Sequence, residues 1–441
     1  MSNNKENDIE ILAIPYELPK GWKWIPQNEV CRLTDGEKIS DVGYPYLEVK
    51  YLRGNKDKEI ISSGKFVKAG TKVILVDGEN SGEVFTVPED GYMGSTFKSL
   101  SIQDVDENYL QFFIATKKDF YRNNKKGSAI PHLDKKLFFT MPFPLPPTIE
   151  EQQRIVNRIE SMFAKLDEAK EKAQNVVDSF ETRKAAILHQ AFTGNLTAKW
   201  RKEQDCNNTV LDDISCYSKN LSKKDFDNIS FFQQKVDNIQ LSDGTIWSKC
   251  SVGAIGIVSN GSTPSRKMDT YWNGDIPWVS SGEVSNNIIC NTKECITNDG
   301  YDNSSVKMLP KGTVLIAMIG EGKTRGQSSI LDIPATINQN IAAINIEHGF
   351  IEPKFLWYWF QKEYKKNRTA GSGSGPQALN CQRVRELDFI VPSLSEQQEI
   401  VRILDSVLEK ERTAKSAAEQ VLEQIDLLKK SILARAFRGE L

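Results

Sequence analysis

Three stretches of this 441-residue chain bring together residue types that could handle phosphate groups. The first, Ala317-Met-Ile-Gly-Glu-Gly-Lys-Thr324, follows an apolar run and matches the Ala variant of a phosphate loop. Such a loop grips phosphate only where it opens a helix whose first amides face the anion. Here glycine, serines and a proline follow, so the stretch reads as a turn presenting Lys323 and Arg325. The second signal is charge. Residues 117–136 hold Lys117, Lys118, Arg122, Lys125, Lys126, Lys135 and Lys136 against two aspartates, with Ser128 and His132 in the small-residue loop KKGSAIPHL. Residues 354–385 repeat the pattern with Lys365 and Lys366 ahead of RTAGSGSGPQAL, which opens on Arg368 and whose Ser372 and Gln377 are the polar candidates. Lys and Arg near phosphates release counterions, and Gly and Ser let backbone amides approach a strand. A solvated helix face followed by a loop would show the same composition; recurrence of the window favours the binding reading. The third stretch, Gly261 to Lys267, offers Ser262, Thr263 and Arg266 just before the aromatic segment Tyr271–Val279. Its Trp272 and Trp278 suit either a nucleic-acid contact or a core.

No catalytic set accompanies these groups. A G-x-G-x-x-G loop after a strand, the Asn/Asp-Pro-Pro-Tyr tetrad of amino-methyltransferases and a G-x-S-x-G elbow are all missing from the sequence. That points to a binding protein, with no cofactor or metal expected in this chain. The net charge of −2 excludes a uniformly basic nucleic-acid coat and leaves room for local patches. The longest apolar runs, Val314–Ile319 and Phe355–Phe360, are far short of a bilayer span, and the first residues lack an apolar signal core. Seven scattered cysteines without a CxxC pair argue against a disulfide framework and for a reducing cytoplasm.

The elements that must position these residues are duplicated. PTIEEQQRIVNRIESMF (147–163) recurs as PSLSEQQEIVRILDSVL (392–408), and KAAILHQAFTGNL (184–196) as KKSILARAFRGEL (429–441), both at an offset of 245 residues. Weaker matches precede each block: LPKGWKW (18–24) with LSDGTIW (241–247), and KAGTKVIL (68–75) with PKGTVLIA (310–317). Each block reads as one long helix. Thr148 with Glu151, and Ser393 with Glu396, suggest capping boxes, and Gly194 and Gly439 suggest C-terminal stops. Apolar residues step by four and three along Ile155, Ile159, Met162, Leu166, Ala169, Ala173, Val176 and Phe180, and again along Ile400, Leu404, Val407, Ala414, Ala418, Val421 and Ile425. Glu411 interrupts the second seam where the first has Leu166. An antiparallel helix pair buries both stripes; two separate helices, each packed on its own domain, is the alternative. The units before each block read as mixed α/β, with short β-type runs between glycine-rich turns.

The duplicated E-Q-Q helix, the segment YWNGDIPWVSSGEV and the helix end AFTGNLTAKWR resemble the specificity subunit of type I restriction-modification systems over nearly the whole chain. The resemblance implies an α+β fold with two mixed α/β target-recognition domains (1–147 and 241–392). Two long antiparallel coiled-coil helices (148–196 and 393–441) join them in an internal two-fold repeat, with a linker at 197–240 rich in Asn, Ser, Lys and Asp. It implies that each recognition domain reads one half of a bipartite double-stranded DNA site. The helices would dock two methyltransferase subunits, and restriction subunits would join the complex. S-adenosylmethionine, ATP and Mg would then belong to those partners. Two rival classes stay open: a helical scaffold without a DNA role, and a nucleotide-binding enzyme using the Lys323 loop.

Overall fold

The structure is a computed structural model describing residues 16–126, 131–204, 210–216, 223–320, 322–346, 349–369 and 379–441. Two compact units are formed, one from Met1–Asn175 with Ala417–Leu441, the other from Val176–Ser416. Both boundaries fall inside long helices, Ile149–Phe192 of 44 residues and Leu394–Ala436 of 43 residues. Each unit therefore contains one α/β domain, the first half of one long helix and the second half of the other.

The two domains repeat strand for strand. In the first unit, Cys31–Thr34, Phe97–Ile102, Lys72–Leu75 and Val84–Thr86 lie in that order, all antiparallel. In the second, Ile257–Asn260, Ile341–Asn345, Val314–Ala317 and Ser328–Leu331 take the same order, with Ile288–Ile289 added in parallel at the edge. The VLIA strand Val314–Ala317 is buried on both faces, which explains its unbroken apolar run. Beside each sheet sits a second group of strands. Glu37–Leu47 pairs antiparallel with Ile60–Val67 and parallel with Gly91–Met93, and the last two also pair with each other, closing a small barrel. Trp272–Val279 makes the equivalent pairings with Glu294–Ile296 and Thr336–Ile337.

The long helices are antiparallel within each unit. In the first, Asp167 meets Lys429 at 2.5 Å and Lys170 meets Asp426 at 3.6 Å, so residue numbers rise on one helix as they fall on the other. In the second, Arg183 meets Glu411 at 2.7 Å. Their apolar stripes do more than face each other. Ile155, Val156 and Ile159, with Leu433, Ala436 and Phe437, belong to one hydrophobic cluster with the first domain's Tyr109, Phe113 and Phe143. Phe437 lies 5.0 Å from the Tyr109 ring and 5.4 Å from that of Phe113. In the second unit Leu188, Ala191 and Phe192 join Ile400, Leu404 and Leu408 in the core around Phe355, and the Phe192 and Phe355 rings are 5.0 Å apart. The last turns of each long helix thus complete the domain that precedes the other one.

Of the seam residues, Ile155, Ile159, Phe180, Ile400, Leu404 and Ile425 are buried, Met162, Leu166 and Val407 are half-buried, and Val421 stays 39% exposed. A straight helix drifts relative to a seven-residue repeat, so a stripe that begins in a domain core turns away from the partner helix farther along.

Capping differs in part from the reciprocal boxes expected. Thr148 Oγ1 accepts from the Glu151 amide at 3.3 Å and Ser393 Oγ from the Glu396 amide at 3.4 Å. The Glu396 carboxylate, almost fully buried, instead accepts from Thr197 Oγ1 and Arg201 Nη1, both at 2.6 Å, and from Trp247 Nε1 at 3.1 Å. A buried carboxylate needs this many donors to offset its lost hydration. Both stops are left-handed: Gly194 has φ 79° and Gly439 φ 72°. A Cβ at either would overlap a neighbouring side chain, Leu241 or Pro19.

The segment 197–240, a linker by composition, is folded over its described residues. It carries helices Ala198–Glu203, Leu211–Cys216 and Lys223–Gln233 and strand Asp237–Gln240. Val210, Ile214, Ile229 and Phe232 are buried against the second domain. These few apolar residues carry the packing, and the polar composition around them hides it.

The cores make two outcomes testable. Leu404→Arg places a guanidinium where the side chain is fully buried, at a cost of several kcal/mol; thermal unfolding should show the second unit melting early, and an unchanged melt would contradict the packing. Burial pushes the thiols of Cys31 and Cys250 up to about 12, whereas Cys290 is exposed. Alkylation near pH 8 followed by peptide mass spectrometry should label Cys290 and spare the other two in the folded chain.

Candidate nucleic-acid interface

Each domain carries the same arrangement at one end of its main sheet: a hairpin tip, a short helix and, farther along the chain, a leucine whose amide bonds the tip. In the first unit the tip is 76–83, between Lys72–Leu75 and Val84–Thr86. The Leu133 amide donates to the Val76 carbonyl and the Gly78 amide to that of Pro131, both at 2.8 Å, so the loop is tied to the tip. Gly82, at φ 95°, lies where a Cβ would come within 3.1 Å of Tyr121, on the helix Lys118–Asn123. Lys126 and His132 face each other in an antiparallel bridge. Ser128, between them, lies outside the described residues.

In the second unit the tip is 318–327, and the Leu379 amide donates to the Met318 carbonyl at 3.0 Å, the counterpart of Leu133 and Val76. Tyr364, which opens the helix Tyr364–Thr369, donates its hydroxyl to the Lys323 carbonyl at 2.7 Å. The structure thereby unites the Lys323 turn with the basic window of Lys365, Lys366 and Arg368. The site extends further. The Met318 amide donates to Asn340, Thr263 Oγ1 bonds Gln339, and the Ser262 amide donates to Ile337 at 3.0 Å. Gly261 is obligatory there, because a Cβ would overlap the Ile337 carbonyl. Ser262, Thr263, Lys323, Arg325, Lys365, Lys366 and Arg368 therefore lie along one continuous edge. Ser372 and Gln377 lie outside the described residues.

Arg266 is anchored beside that edge. Its guanidinium sits 3.6 Å from the Trp272 ring centroid and pairs with Glu294, one contact being 2.9 Å. Trp278 is core, with its indole N–H donating to Ser262 O at 3.0 Å, whereas Trp272 is half-buried beneath the arginine. Trp272 also packs edge-on against Trp278, with ring centroids 5.1 Å apart.

The two tips differ in charge. In the first, Lys125 pairs with Glu79 at 2.7 Å, Lys126 with Asp134 at 2.9 Å, Lys118 with Glu83 at 3.4 Å, and His132 Nδ1 lies 2.6 Å from Asp77. The hydrogen bond from Lys125 holds the Glu79 carboxyl below its ordinary range. Arg122 is exposed. Lys117 is set apart: burial lowers its ammonium pKa, and the charge lies 5.4 Å from the Phe113 ring. In the second tip, Lys323 and Lys365 are exposed and form no ion pair among the described residues, while Lys366 lies 3.7 Å from Glu363. Sequence reasoning missed the carboxylates Asp77, Glu79 and Glu83. The turn-rich run VDGENSGEV, aligned with the Lys323 turn, was the available signal.

The phosphate-loop pattern lies in a hairpin: strand Val314–Ala317 pairs with strand Ser328–Leu331, and among the described residues between them no helix N-terminus stands behind Lys323. What the arrangement offers is paired cations, hydroxyls and backbone amides on an open edge, suited to sugar-phosphate contacts. Among the described residues no helix is long and apolar enough to cross a membrane.

Comparison with known proteins agrees with this organisation. The family model described as type I restriction modification DNA specificity domain matches residues 19–178 and 246–424. The MjaVIII specificity subunit of Methanocaldococcus jannaschii is 23% identical over 96% of this chain and 94% of its own length. The EcoBI specificity subunit of Escherichia coli is 24% identical over 95% and 86%. In fold, a chain from a structural study of type I restriction-modification complex assembly superposes with a TM-score of 0.67 at 16% identity, covering 97% of this chain and all of that one. The HsdS subunit from Thermoanaerobacter tengcongensis gives 0.57 at 17% identity, covering 97% and 99%. With two matched domains, each built around the same hairpin tip, short helix and loop, the chain belongs to the type I restriction-modification DNA specificity family.

Proposed function

We propose that this chain is the DNA-recognition subunit of a type I restriction-modification complex. Recognition domains within 1–147 and 241–392 each read one half of a bipartite double-stranded site. The helices within 148–196 and 393–441 separate them and dock two methyltransferase subunits, with 197–240 as the connection. The observation that carries the reading is the recurrence of one loop constellation in both domains of a family defined by DNA specificity. A bipartite site needs two equivalent readers on one support, and a duplicated domain supplies them.

The chain itself performs no reaction in this proposal. S-adenosylmethionine, ATP and Mg act in the methyltransferase and restriction subunits, and the complex works in the cytoplasm. Phosphate contacts from Lys125, Lys126, Lys323, Lys365 and Lys366 position the duplex, while the faces beside them read base edges. In the first domain the lysines must leave Glu79 and Asp134 to meet phosphates, so the carboxylates hold them in place before binding and weaken the net attraction. The near-neutral net charge then requires partner subunits to close around the duplex and add cations of their own.

The tests use the assembled methyltransferase complex. Reversing Lys125 and Lys126 to Glu should weaken binding similarly for all sequences and flatten the salt dependence by about 0.9 in log–log slope for each phosphate no longer neutralised; an unchanged slope in a gel-shift titration would mean these lysines face solvent in the complex. Replacing residues 18–147 with the same segment of a relative should alter one half-site only, read by methylation-aware sequencing. A change in both halves would contradict one domain per half-site.

A further inference from the structure

A duplicated chain has a pairing problem. Either long helix could pair with the other, as it does here, or with its own copy in a second chain. The apolar residues at the helix ends do not discriminate, although the buried Glu396 also takes Thr197 and Arg201 from beyond the first helix. Leu188, Ala191 and Phe192 complete the second domain, Leu433, Ala436 and Phe437 complete the first, and the residue types are identical in the same order.

The neighbouring charges are equally indifferent. Asp167 meets Lys429 in its own unit; in a pair of two first helices it would meet Lys184, the residue at the equivalent position. Lys170 meets Asp426 and would meet Glu181. Arg412, equivalent to Asp167, has a lysine opposite in both arrangements, Lys184 or Lys429. Lysine thus replaces lysine and an acid replaces an acid.

One crossing is different. Glu411 and Arg183 pair at 2.7 Å, with side chains only 23% and 34% exposed. Arg183 is held from its other side by Ser179 and by the Val176 carbonyl at 3.2 Å. At the 245-residue offset, the equivalent positions in the first unit are Leu166 and Leu428. The flanking contacts support this alignment: Lys415 lies 5.1 Å from the Phe180 ring, and its equivalent Lys170 approaches Asp426, next to Ile425, the equivalent of Phe180. Pairing within the chain therefore sets charge against charge in one unit and, in the other, gives the equivalent positions to Leu166, half-buried, and Leu428, 48% exposed. Pairing of like helices would set Leu166 against Arg183, and Glu411 against Leu428. Every such crossing strands a charge on an apolar neighbour and exposes a leucine to an ion.

We infer that the Arg183–Glu411 pair, played against Leu166 and Leu428, is a pairing-specificity device that directs the two long helices to each other and against self-association with a second copy of this chain. The physical basis is a penalty on the wrong partner: the polar pair adds little to stability when partly exposed, but its mismatch leaves a charge without an answer. A single polar position selects among coiled-coil partners in the same way.

The test is co-expression of two differently tagged copies of the full chain, followed by capture on one tag and detection of the other. Wild type should show background cross-capture. R183L, which makes the crossing of two first helices leucine on leucine and leaves Glu411 mismatched within the chain, should raise it several-fold. E411L should do so independently through the second helix. The charge-swapped R183E/E411R chain, which restores the pair within the chain, should return to background. Equal background capture by wild type, R183L and E411L would overturn the inference, as would exchange by the charge-swapped chain at the level of the leucine variants. Circular dichroism of the captured material distinguishes exchanged folded chains, which support it, from aggregated ones, which count against it.

Discussion

The constraint on which the rest depends is that neither domain owns its whole core. Phe437 lies against Tyr109 and Phe113 of the first domain, and Phe192 against Phe355 of the second. Removing either phenylalanine would open a cavity worth about 3–5 kcal/mol, a large fraction of a typical domain's stability. The apolar face that closes each domain comes from the helix that begins behind the other domain. Folding of each unit thus requires the two repeats to meet, and the antiparallel helix pair is the geometry in which both cores close at once.

That arrangement explains why the helices are so regular while the domains are so irregular. The helix of 44 residues delivers Ile155 to one core and Phe192 to another, and it runs without proline from its Thr148 cap to Gly194. The domains, by contrast, present their tips on loops, where composition can change without disturbing the core. The two tips share the bond from Leu133 to Val76 and from Leu379 to Met318, yet one is laced with carboxylates, while in the other Lys323 and Lys365 form no ion pair among the described residues. A common backbone frame thus lets the side chains of the two tips diverge while the cores behind them stay alike.

The buried Glu396 cluster shows the cost of holding such a frame. Thr197, Arg201 and Trp247 all donate to one carboxylate, and Arg201 also reaches Asp243 at 2.5 Å. Arginine holds the Asp243 carboxyl down at about 2, so that pairing persists through any ordinary pH. The network ties the start of the second long helix to the chain leaving the first. It therefore works alongside the phenylalanine contacts in fixing where one repeat ends and the next begins.

The duplication, the two long helices, their glycine stops and the apolar residues along them are legible in the chain, because periodicity and turn chemistry are local and repeat at a constant offset. Lys323, Lys365 and Lys366 are legible too, because basic residues cluster visibly in one dimension. That the Lys323 turn and the Lys365 window form one edge emerges from the fold, since Tyr364 and Lys323 are joined by a hydrogen bond between segments 41 residues apart in the chain. The fold alone decided that Glu411, a break in the seam when read along one helix, is answered by Arg183 on the other. It alone placed Ile214 and Phe232, lost among polar neighbours, in the second core. The physical reason is common to all three. A residue's local pattern states what it tolerates, while burial and charge pairing depend on which distant residue is brought opposite it, and that is settled only when the two repeats close on each other.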